Sequence, residues 1–522
     1  MTRFHLVTEN PIVAAVAPGY RFTGPALELG GLMLDETNQS DVQIKIPLGM
    51  LNRHGLVAGA TGTGKTKTLQ LLAEQLSTNG VPVFAADIKG DLSGMSTPGV
   101  EDDKITARAS SVGQTWEAKG FPVTYYALGG QGTGIPLRVT MTSFGPVLLS
   151  KVLGLNETQE SSLGLVFHYA DQAGLPLLDL KDLRAVVHFL DSDEGKPDLK
   201  ELGGLSSATA GVILRELIAF ESQGADVFFG EPEFESSDLL QVAPDGRGTV
   251  SMLELPNLQD RPALFSTFLM WLLADLFHDL PEVGDVDKPK LVFFFDEAHL
   301  LFDDASEAFL DQIAQTVRLI RSKGVGVFFV TQSPTDVPND VLAQLGSRVQ
   351  HQLRAATPND AKALKATVNT YPTSSYDDLG KVILSLGIGE AIVTVMNERG
   401  APTPVAWTRL RAPESLMAPA DAAAMDAAVK ASPGWATYSQ AVDRESASER
   451  LAARMQAGAD KAAAEEAEKE TARTGTKTAP RPKAAKPQDS TFEKVVKSST
   501  FKYAVRYAAR EAVRGMFGIG RR

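Results

Sequence analysis

The sequence predicts an α/β fold with a central, mostly parallel sheet, a helical insertion and a helical C-terminal tail. The pattern predicts a strand–loop–helix unit near the start of the core. Residues 54–58 (HGLVA) resemble a short buried strand, and residues 68–77 carry apolar side chains at helical spacing. Residues 291–295 (LVFFF) form an uninterrupted apolar run, as expected of a parallel strand buried on both faces. Apolar runs at 81–87 and 324–330 alternate with helical patterns, which is typical of a parallel sheet covered by helices.

The loop after the first predicted strand fits the phosphate-binding pattern G-x-x-x-x-G-K-[ST]. Glycines let backbone N–H groups turn toward phosphates, Lys65 brings a positive charge, and Thr66 offers a hydroxyl to Mg²⁺. The helix that follows adds free N–H groups and a dipole, both of which favour anions. The alternative is a glycine-rich turn that binds no nucleotide. The candidate nucleotide-binding residues are Gly59, Ala60, Thr61, Gly62, Thr63, Gly64, Lys65, Thr66 and Thr68.

Two acids, Asp296 and Glu297, end the apolar run at 291–295. The carboxyl ends of parallel strands form the ligand edge of an α/β sheet. We therefore expect Asp296 to hold Mg²⁺, directly or through water, and Glu297 to polarise the attacking water. The alternative is a strand that ends in a solvated acidic turn.

Polar side chains also follow two other predicted strands. Asp87 and Lys89 come just after residues 81–86, and they are candidates for supporting the site from behind; an ordinary polar loop is an equal alternative. Gln332 follows residues 324–330 and is a candidate sensor of the γ-phosphate, or else it caps the next turn.

Two arginines, Arg348 and Arg354, lie in residues 344–354, where the pattern predicts another short strand. An arginine can spread a developing negative charge over several hydrogen bonds, as an arginine finger does in phosphoryl transfer. The alternative is that both are ordinary surface arginines.

The length of 522 residues allows several domains, and the absence of cysteine excludes disulfides and thiolate chemistry. The first residues lack the apolar core of a signal peptide, and no stretch approaches about 20 uninterrupted apolar residues. We therefore expect a cytoplasmic protein without a transmembrane segment. The net charge of −13 divides into +10 for residues 471–522 and −23 for the rest, which argues against a surface that coats nucleic acid broadly.

The expected organisation has seven segments, judged from composition and periodicity. They are a short N-terminal β segment (1–50), the first part of the core (51–142), a helical insertion (143–240), the second part of the core (241–412), an Ala/Glu-rich helical region (413–470), a flexible linker (471–490) and a basic amphipathic helix (491–522). In the last segment Lys502, Arg506, Arg510 and Arg514 recur every fourth residue, so they share one helical face. That face either binds nucleic acid or an anionic membrane, or docks on the acidic body.

Four stretches together resemble the HerA/FtsK branch of P-loop ATPases, and more closely a bacterial HerA-like family of the YjgR type with a domain of unknown function. They are GATGTGKT at 59–66, FFFDEAHLLF at 293–302, IRSKGVGVFFVTQSP at 320–334 and LGSRVQHQLRA at 345–355. The closer resemblance also includes DIKGDLSG at 87–94 and FGEP at 229–232.

The resemblance implies a RecA-like core with an additional strand, assembled into a ring, usually a hexamer, with ATP and Mg²⁺ between neighbouring subunits. It assigns phosphate and metal to Lys65 and Thr66, the metal and catalytic acids to Asp296 and Glu297, and the sensor to Gln332. Arg354 resembles the finger that enters a neighbour's site, and Arg348 and Arg321 are weaker candidates.

Two classes of function follow. The first is a ring-forming ATPase motor, similar to a translocase or helicase, that acts on DNA. The second is an ATP-dependent switch or scaffold that reports its nucleotide state to a protein partner without moving DNA. The acid pair favours hydrolysis in both classes.

Overall fold

The computed structural model describes residues 10–34, 37–200, 203–255, 262–284, 286–302 and 305–473. These residues divide into two compact units. One unit takes its described residues from 1–137 and 235–439, and the other takes them from 138–234 and 440–522. From residue 474 onward, the predicted linker and the predicted basic helix lie outside the described residues.

Twelve strands in the described part of the chain form one sheet, which belongs to the first unit. They are β1 (Ala26–Leu34), β2 (Thr37–Pro47), β3 (Gly55–Ala58), β4 (Val83–Asp87), β5 (Val123–Leu128), β6 (Ile135–Leu137), β7 (Val250–Glu254), β8 (Leu291–Phe295), β9 (Val325–Thr331), β10 (Ser347–Gln350), β11 (Glu390–Thr394) and β12 (Ala406–Leu410).

The strand order is β2-β1-β12-β11-β10-β3-β9-β8-β4-β7-β5-β6. All neighbours from β10 to β6 are parallel, whereas β11, β12, β1 and β2 extend the sheet in antiparallel pairs. The predicted α/β fold with a mostly parallel sheet is therefore confirmed. β9 is the additional strand between β3 and β8, so the phosphate-loop strand and the acidic strand do not pair directly.

The described residues also form α-helices. They are α1 (Pro11–Val16), α2 (Lys65–Thr78), α3 (Asp103–Ser111), α4 (Met141–Phe144), α5 (Pro146–Val152), α6 (Glu157–Gln172), α7 (Leu180–Asp191), α8 (Lys196–Lys200), α9 (Ser207–Ser222), α10 (Pro262–Asp279), α11 (Glu307–Ile320), α12 (Asn339–Leu342), α13 (Pro358–Asn369), α14 (Leu379–Ser385), α15 (Ala422–Ala431), α16 (Pro433–Tyr438) and α17 (Ala447–Arg473).

Aromatic side chains of β8 fill the core on both faces of the sheet. Phe294 packs against Phe328 of β9, with ring centroids 5.4 Å apart, while Phe293 packs against Phe84 of β4 at 5.0 Å. Successive side chains of a strand point to opposite faces, so an unbroken aromatic run serves two layers of helices at once. This explains why the run at 291–295 shows no alternation with polar residues.

Three element boundaries differ from those predicted. His54 lies outside β3, because its φ of 59° places a left-handed turn just before the strand. Helix α2 begins at Lys65 rather than at residue 68, since the loop lysine already has helical geometry. Arg354, expected on one strand with Arg348, lies beyond the end of β10.

The strands β1 and β2, from the predicted N-terminal β segment, belong to the same sheet. β1 pairs with β12, and β2 covers β1. The Tyr20 hydroxyl donates to the Pro404 carbonyl at 2.8 Å and accepts from the Thr403 hydroxyl at 3.0 Å. These buried hydrogen bonds join the two ends of the sheet-forming sequence.

The second unit is helical, with α4 to α9 from the middle of the chain and α17 from its end. The Ser448 N–H at the start of α17 donates to Asp182 on α7 at 2.9 Å. Arg444 donates two hydrogen bonds to the Glu231 carboxylate, at 2.6 and 2.9 Å. The glutamate of FGEP therefore fastens the segment before α17 to the insertion. In the part of the chain that the structure describes, no helix combines the length and the apolar character that a membrane crossing requires.

The packing of Phe294 predicts a stability effect. We expect Phe294→Ala to lower the free energy of unfolding by about 3–5 kcal/mol, because it removes a buried ring from the centre of the sheet. Thermal and urea unfolding followed by circular dichroism measure the change. Val100→Ala is the control: its side chain is 69% exposed, so we expect about 0.5 kcal/mol or less. Equal effects for the two variants would contradict the packing argument.

Candidate nucleotide site

The predicted phosphate loop connects β3 to α2 at the carboxyl edge of the parallel strands. Gly64 has a φ of 112° and immediately precedes the helix, so the first N–H groups of α2 face the loop. The Lys65 ammonium donates to the carbonyl of Gly59 at 2.6 Å and to that of Ala60 at 3.2 Å. Gly62 lies at the exposed tip of the loop, with open space where a side chain would stand.

Residues just past β10 form one wall of this loop. The Ala60 N–H donates to the Gln352 carbonyl at 2.8 Å. A side chain at Gly59 would place its Cβ 2.5 Å from the Cβ of His351, which is why only glycine fits there. Burial lowers the pKa of His351 to about 3, so the imidazole is neutral.

Thr68 faces inward rather than toward the mouth of the loop. Its hydroxyl lies 2.9 Å from His351 Nε2 and donates to the Gly64 carbonyl at 3.2 Å. The preceding candidate, Thr66, is the second residue of α2 and is partly exposed. The two threonines therefore differ in position: Thr68 supports the loop from inside, and Thr66 stands where a bound metal ion would meet the helix start.

Asp296 follows β8 and is only 4% exposed. One of its carboxylate oxygens accepts the Glu297 N–H at 2.9 Å, while the other, Oδ2, is buried without a hydrogen-bond partner among the described residues. Burial, followed by the charge of Glu297, raises the pKa of Asp296 to about 7. An unpaired buried carboxylate oxygen is costly, and a cation bound there would remove that cost.

Glu297 takes a left-handed backbone conformation, with φ 47° and ψ 48°. Such a conformation is uncommon outside glycine and costs on the order of 1 kcal/mol or more. Its carboxylate forms an ion pair with Lys89 through Oε1. The other oxygen, Oε2, accepts from Gln332 Nε2 at 3.5 Å and lies 3.4 Å from His299 Nδ1. Burial opposes ionisation of Glu297, but the hydrogen bond and charge of Lys89 outweigh it and lower the pKa.

The two candidates behind the site behave differently. Asp87 accepts N–H groups from three successive residues, 90 to 92, so it holds the loop that carries Lys89. Burial raises the pKa of Asp87 despite these bonds. Lys89, in contrast, reaches the catalytic candidate Glu297 itself.

Sequence reasoning missed His299 and Glu254. His299 is the last residue of the DEAH sequence, two positions after Glu297, and that spacing was available as a signal. Glu254 ends β7 opposite Asp87 of β4, so the rule that strand ends meet at one edge could have found it. Burial and the nearby Asp87 raise the pKa of Glu254 to about 8.

The structure separates the three candidate arginines. Arg354 lies at the loop, where its Nη2 donates to the Thr61 carbonyl of the same chain at 3.3 Å. Arg348 pairs in register with Leu56, away from the strand end, and its Nη1 donates to the Thr370 hydroxyl at 2.5 Å. Arg321 precedes β9 and so stands at the opposite edge of the sheet. Within one chain, Arg354 is therefore the member of this trio that reaches the loop.

A cavity of about 600 Å³ is bordered by His299 and Gln332, the two side chains that approach Oε2 of Glu297. It is lined by His299, Phe302, Gln332, Thr335, Asp336 and Pro338. The Asp336 carboxylate accepts from the Thr331 hydroxyl at 2.7 Å and from the Ser333 N–H at 2.8 Å, which fixes the turn after β9. The candidate sensor Gln332 therefore projects from a well-anchored strand end.

These groups fit Mg²⁺ bound together with a nucleotide. No cluster of three or more His, Cys, Asp or Glu side chains among the described residues could hold a metal ion by itself. Mg²⁺ at nucleotide sites keeps several waters and uses one or two protein ligands plus phosphate oxygens. Thr66 and Asp296, with its unpaired oxygen, are such a pair.

Solved structures that resemble this chain include plasmid coupling protein TrwB in complex with ADP and Mg²⁺. It is 16% identical, with a TM-score of 0.49 over 76% of this chain and 99% of TrwB. VirB4 of Thermoanaerobacter pseudethanolicus is 14% identical, with a TM-score of 0.46 over 74% of this chain and 97% of VirB4.

Curated relatives include two proteins named DNA double-strand break repair helicase HerA. The protein from Sulfolobus acidocaldarius is 21% identical over 369 residues, which cover 70% of this chain and 66% of the relative. The protein from Saccharolobus solfataricus is 21% identical over 363 residues, which cover 68% and 64%. The match thus spans slightly less than two thirds of each relative.

A family model described as helicase HerA-like C-terminal matches residues 32–522. The match includes the phosphate loop, the acid pair, the strand that ends before Gln332 and the wall that contains His351. With nearly the whole chain covered, the protein belongs to the helicase HerA-like C-terminal family.

Proposed function

We propose that this protein is an ATP-hydrolysing motor that acts on DNA. One observation supports the proposal most directly. Lys65, in the loop after β3, and the acids Asp296 and Glu297, after β8, lie at the same edge of the parallel sheet. A loop that binds phosphates, a carboxylate with an unpaired oxygen and a second carboxylate beside it are the parts that Mg²⁺-dependent phosphoryl transfer requires.

In this proposal the Lys65 ammonium leaves the carbonyls of Gly59 and Ala60 for the β- and γ-phosphates of ATP. Thr66 and Asp296 would hold Mg²⁺, which would supply positive charge against the charge that develops on the phosphates. Glu297 orients the attacking water and takes its proton, while the bond between the γ-phosphorus and the bridging oxygen breaks and ADP leaves. Gln332, hydrogen-bonded to Glu297, senses the γ-phosphate.

DNA is proposed as the polymer because the curated relatives are named as DNA repair helicases. The family resemblance implies a ring, and we propose a homo-hexamer with ATP between subunits. The alternative is a switch that acts on a protein partner. Stimulation of hydrolysis by DNA distinguishes the two.

For the motor, we expect double-stranded DNA to raise the rate of phosphate release from ATP severalfold at about 50 mM salt, and less at about 200 mM, because phosphate contacts weaken with salt. Steady-state ATPase assays of the full chain measure this, with light scattering to determine the number of subunits. Lys65→Ala serves as the inactive control. A rate of phosphate release that DNA does not change at either salt concentration would favour the switch.

We expect Glu297→Gln to retain ATP binding and to lower kcat by about 10²–10⁴, because the amide keeps the shape of the side chain but cannot accept the proton. Lys65→Ala should instead weaken ATP binding, since the phosphates lose their cation. Equilibrium binding and turnover measured on the same preparations separate the two effects. Glu117→Gln, on an exposed loop, is the matched control. Wild-type turnover in Glu297→Gln would remove the assignment.

The family resemblance implies that Arg354 enters a neighbour's site, and within a single chain its guanidinium donates to the Thr61 carbonyl of the phosphate loop. The hydrogen bond from the Ala60 N–H to the Gln352 carbonyl fixes the backbone two residues before Arg354. We therefore propose that Arg354 acts on the nucleotide bound by its own chain.

Arg354→Ala should lower turnover by about 10³–10⁵, the usual cost of losing an arginine that stabilises the transferred phosphoryl group. Mixed rings of Arg354→Ala and Lys65→Ala subunits should then stay inactive, because no site contains both residues. Mixed rings of Arg321→Ala and Lys65→Ala subunits are the comparison, since Arg321 stands at the opposite edge of the sheet and suits a neighbour's site. Recovery of phosphate release in the Arg354 mixture would assign that residue to the neighbour's site instead.

A further inference from the structure

The loop after β4 carries Lys89, which forms an ion pair with Glu297, the candidate catalytic acid. β4 and β8 are parallel neighbours, and Ala86 is in register with Phe295. The residues that follow the two strands therefore lie at the same edge of the sheet. Asp87 fixes the intervening backbone by accepting the N–H groups of residues 90 to 92. The backbone next to Lys89 is therefore fixed, whereas the lysine side chain is partly exposed.

Both carboxylate oxygens of Glu297 already have polar neighbours. Lys89 occupies one carboxylate oxygen, and Gln332 and His299 approach the other. A carboxylate neutralised by an ammonium group is a weaker proton acceptor than a free one. In this arrangement Glu297 is kept from its role as base.

Exposure tells which partner of the ion pair can move. The side chain of Glu297 is 6% exposed and follows a buried strand, whereas that of Lys89 is 41% exposed. Lys65 and Lys89 also resemble each other in the contacts that their ammonium groups make. Lys65 contacts loop carbonyls and Lys89 contacts a carboxylate, so each cation has a protein oxygen as its partner.

We propose that Lys89 is a positioning residue that senses the terminal phosphate of ATP. It pairs with Glu297 until a γ-phosphate arrives, and then it transfers to that phosphate and releases the carboxylate to orient water. The inference rests on the proposed hydrolysis of ATP, and it adds the residue that couples recognition of the triphosphate to activation of the base.

The binding test uses Lys89→Met, which keeps the length of the side chain without its charge, and Lys89→Arg, which keeps the charge. The affinities of the full chain for ADP and for a non-hydrolysable ATP analogue are measured with Mg²⁺ present. We expect Lys89→Met to reduce the preference for the triphosphate by about tenfold or more, the usual effect of losing a charge-assisted hydrogen bond. Lys89→Arg should restore most of it. Lys104→Met, on the exposed surface of α3, is the matched control.

The kinetic test measures kcat and KM without DNA. We expect Lys89→Met to raise kcat severalfold, because Glu297 is no longer held, and to raise KM, because a phosphate contact is lost. An unchanged preference for the triphosphate, or a fall in kcat, would overturn the inference. If the wild-type chain does not hydrolyse ATP at all, the proposed function fails, whereas the binding test of Lys89 still has an answer.

Discussion

The site depends on one constraint, which is that parallel strands end at a common edge. β3, β9, β8 and β4 are neighbours in that order, so the phosphate loop, Gln332, the acid pair and Lys89 follow one another along the ends of these four strands. Strands in a sheet lie about 4.8 Å apart, and the reach of a lysine or glutamine side chain matches that spacing. Each functional group can therefore touch its neighbour's group without any distortion of the sheet.

The strand ends bring several charged side chains close together, and some of these side chains are buried. Asp296 and Glu254 are buried at strand ends, and burial raises the pKa of both carboxyl groups. Lys89 offsets the charge of Glu297, while Oδ2 of Asp296 has no hydrogen-bond partner among the described residues. Such an arrangement is unfavourable for folding by itself, and the cation and phosphates of the proposed function would relieve it. Buried carboxyl groups with raised pKa values are common at catalytic sites.

Local patterns were enough to predict the sheet type, the loop from Gly59 to Thr66 and the position of the two acids at the end of a strand. Each depends on a few consecutive residues whose spacing has a direct physical reason. The position of Arg354 and the wall that includes His351 could not be read in this way, because both depend on the pairing of β10 with β3, nearly 300 residues apart in sequence. Likewise, nothing local shows that β9 lies between β3 and β8. Roles assigned to the individual site residues remain predictions.

The helical unit is built from two parts of the chain, since α17 packs on α7 through Asp182 although about 250 residues separate the two helices. A ribosome adds about 5–20 residues per second, so α7 emerges on the order of 10–50 s before its partner exists. During that interval the apolar stripe of α7 lacks the cover that α17 provides. The packing of α7 against α17 can therefore form only after the ribosome has added the residues of α17.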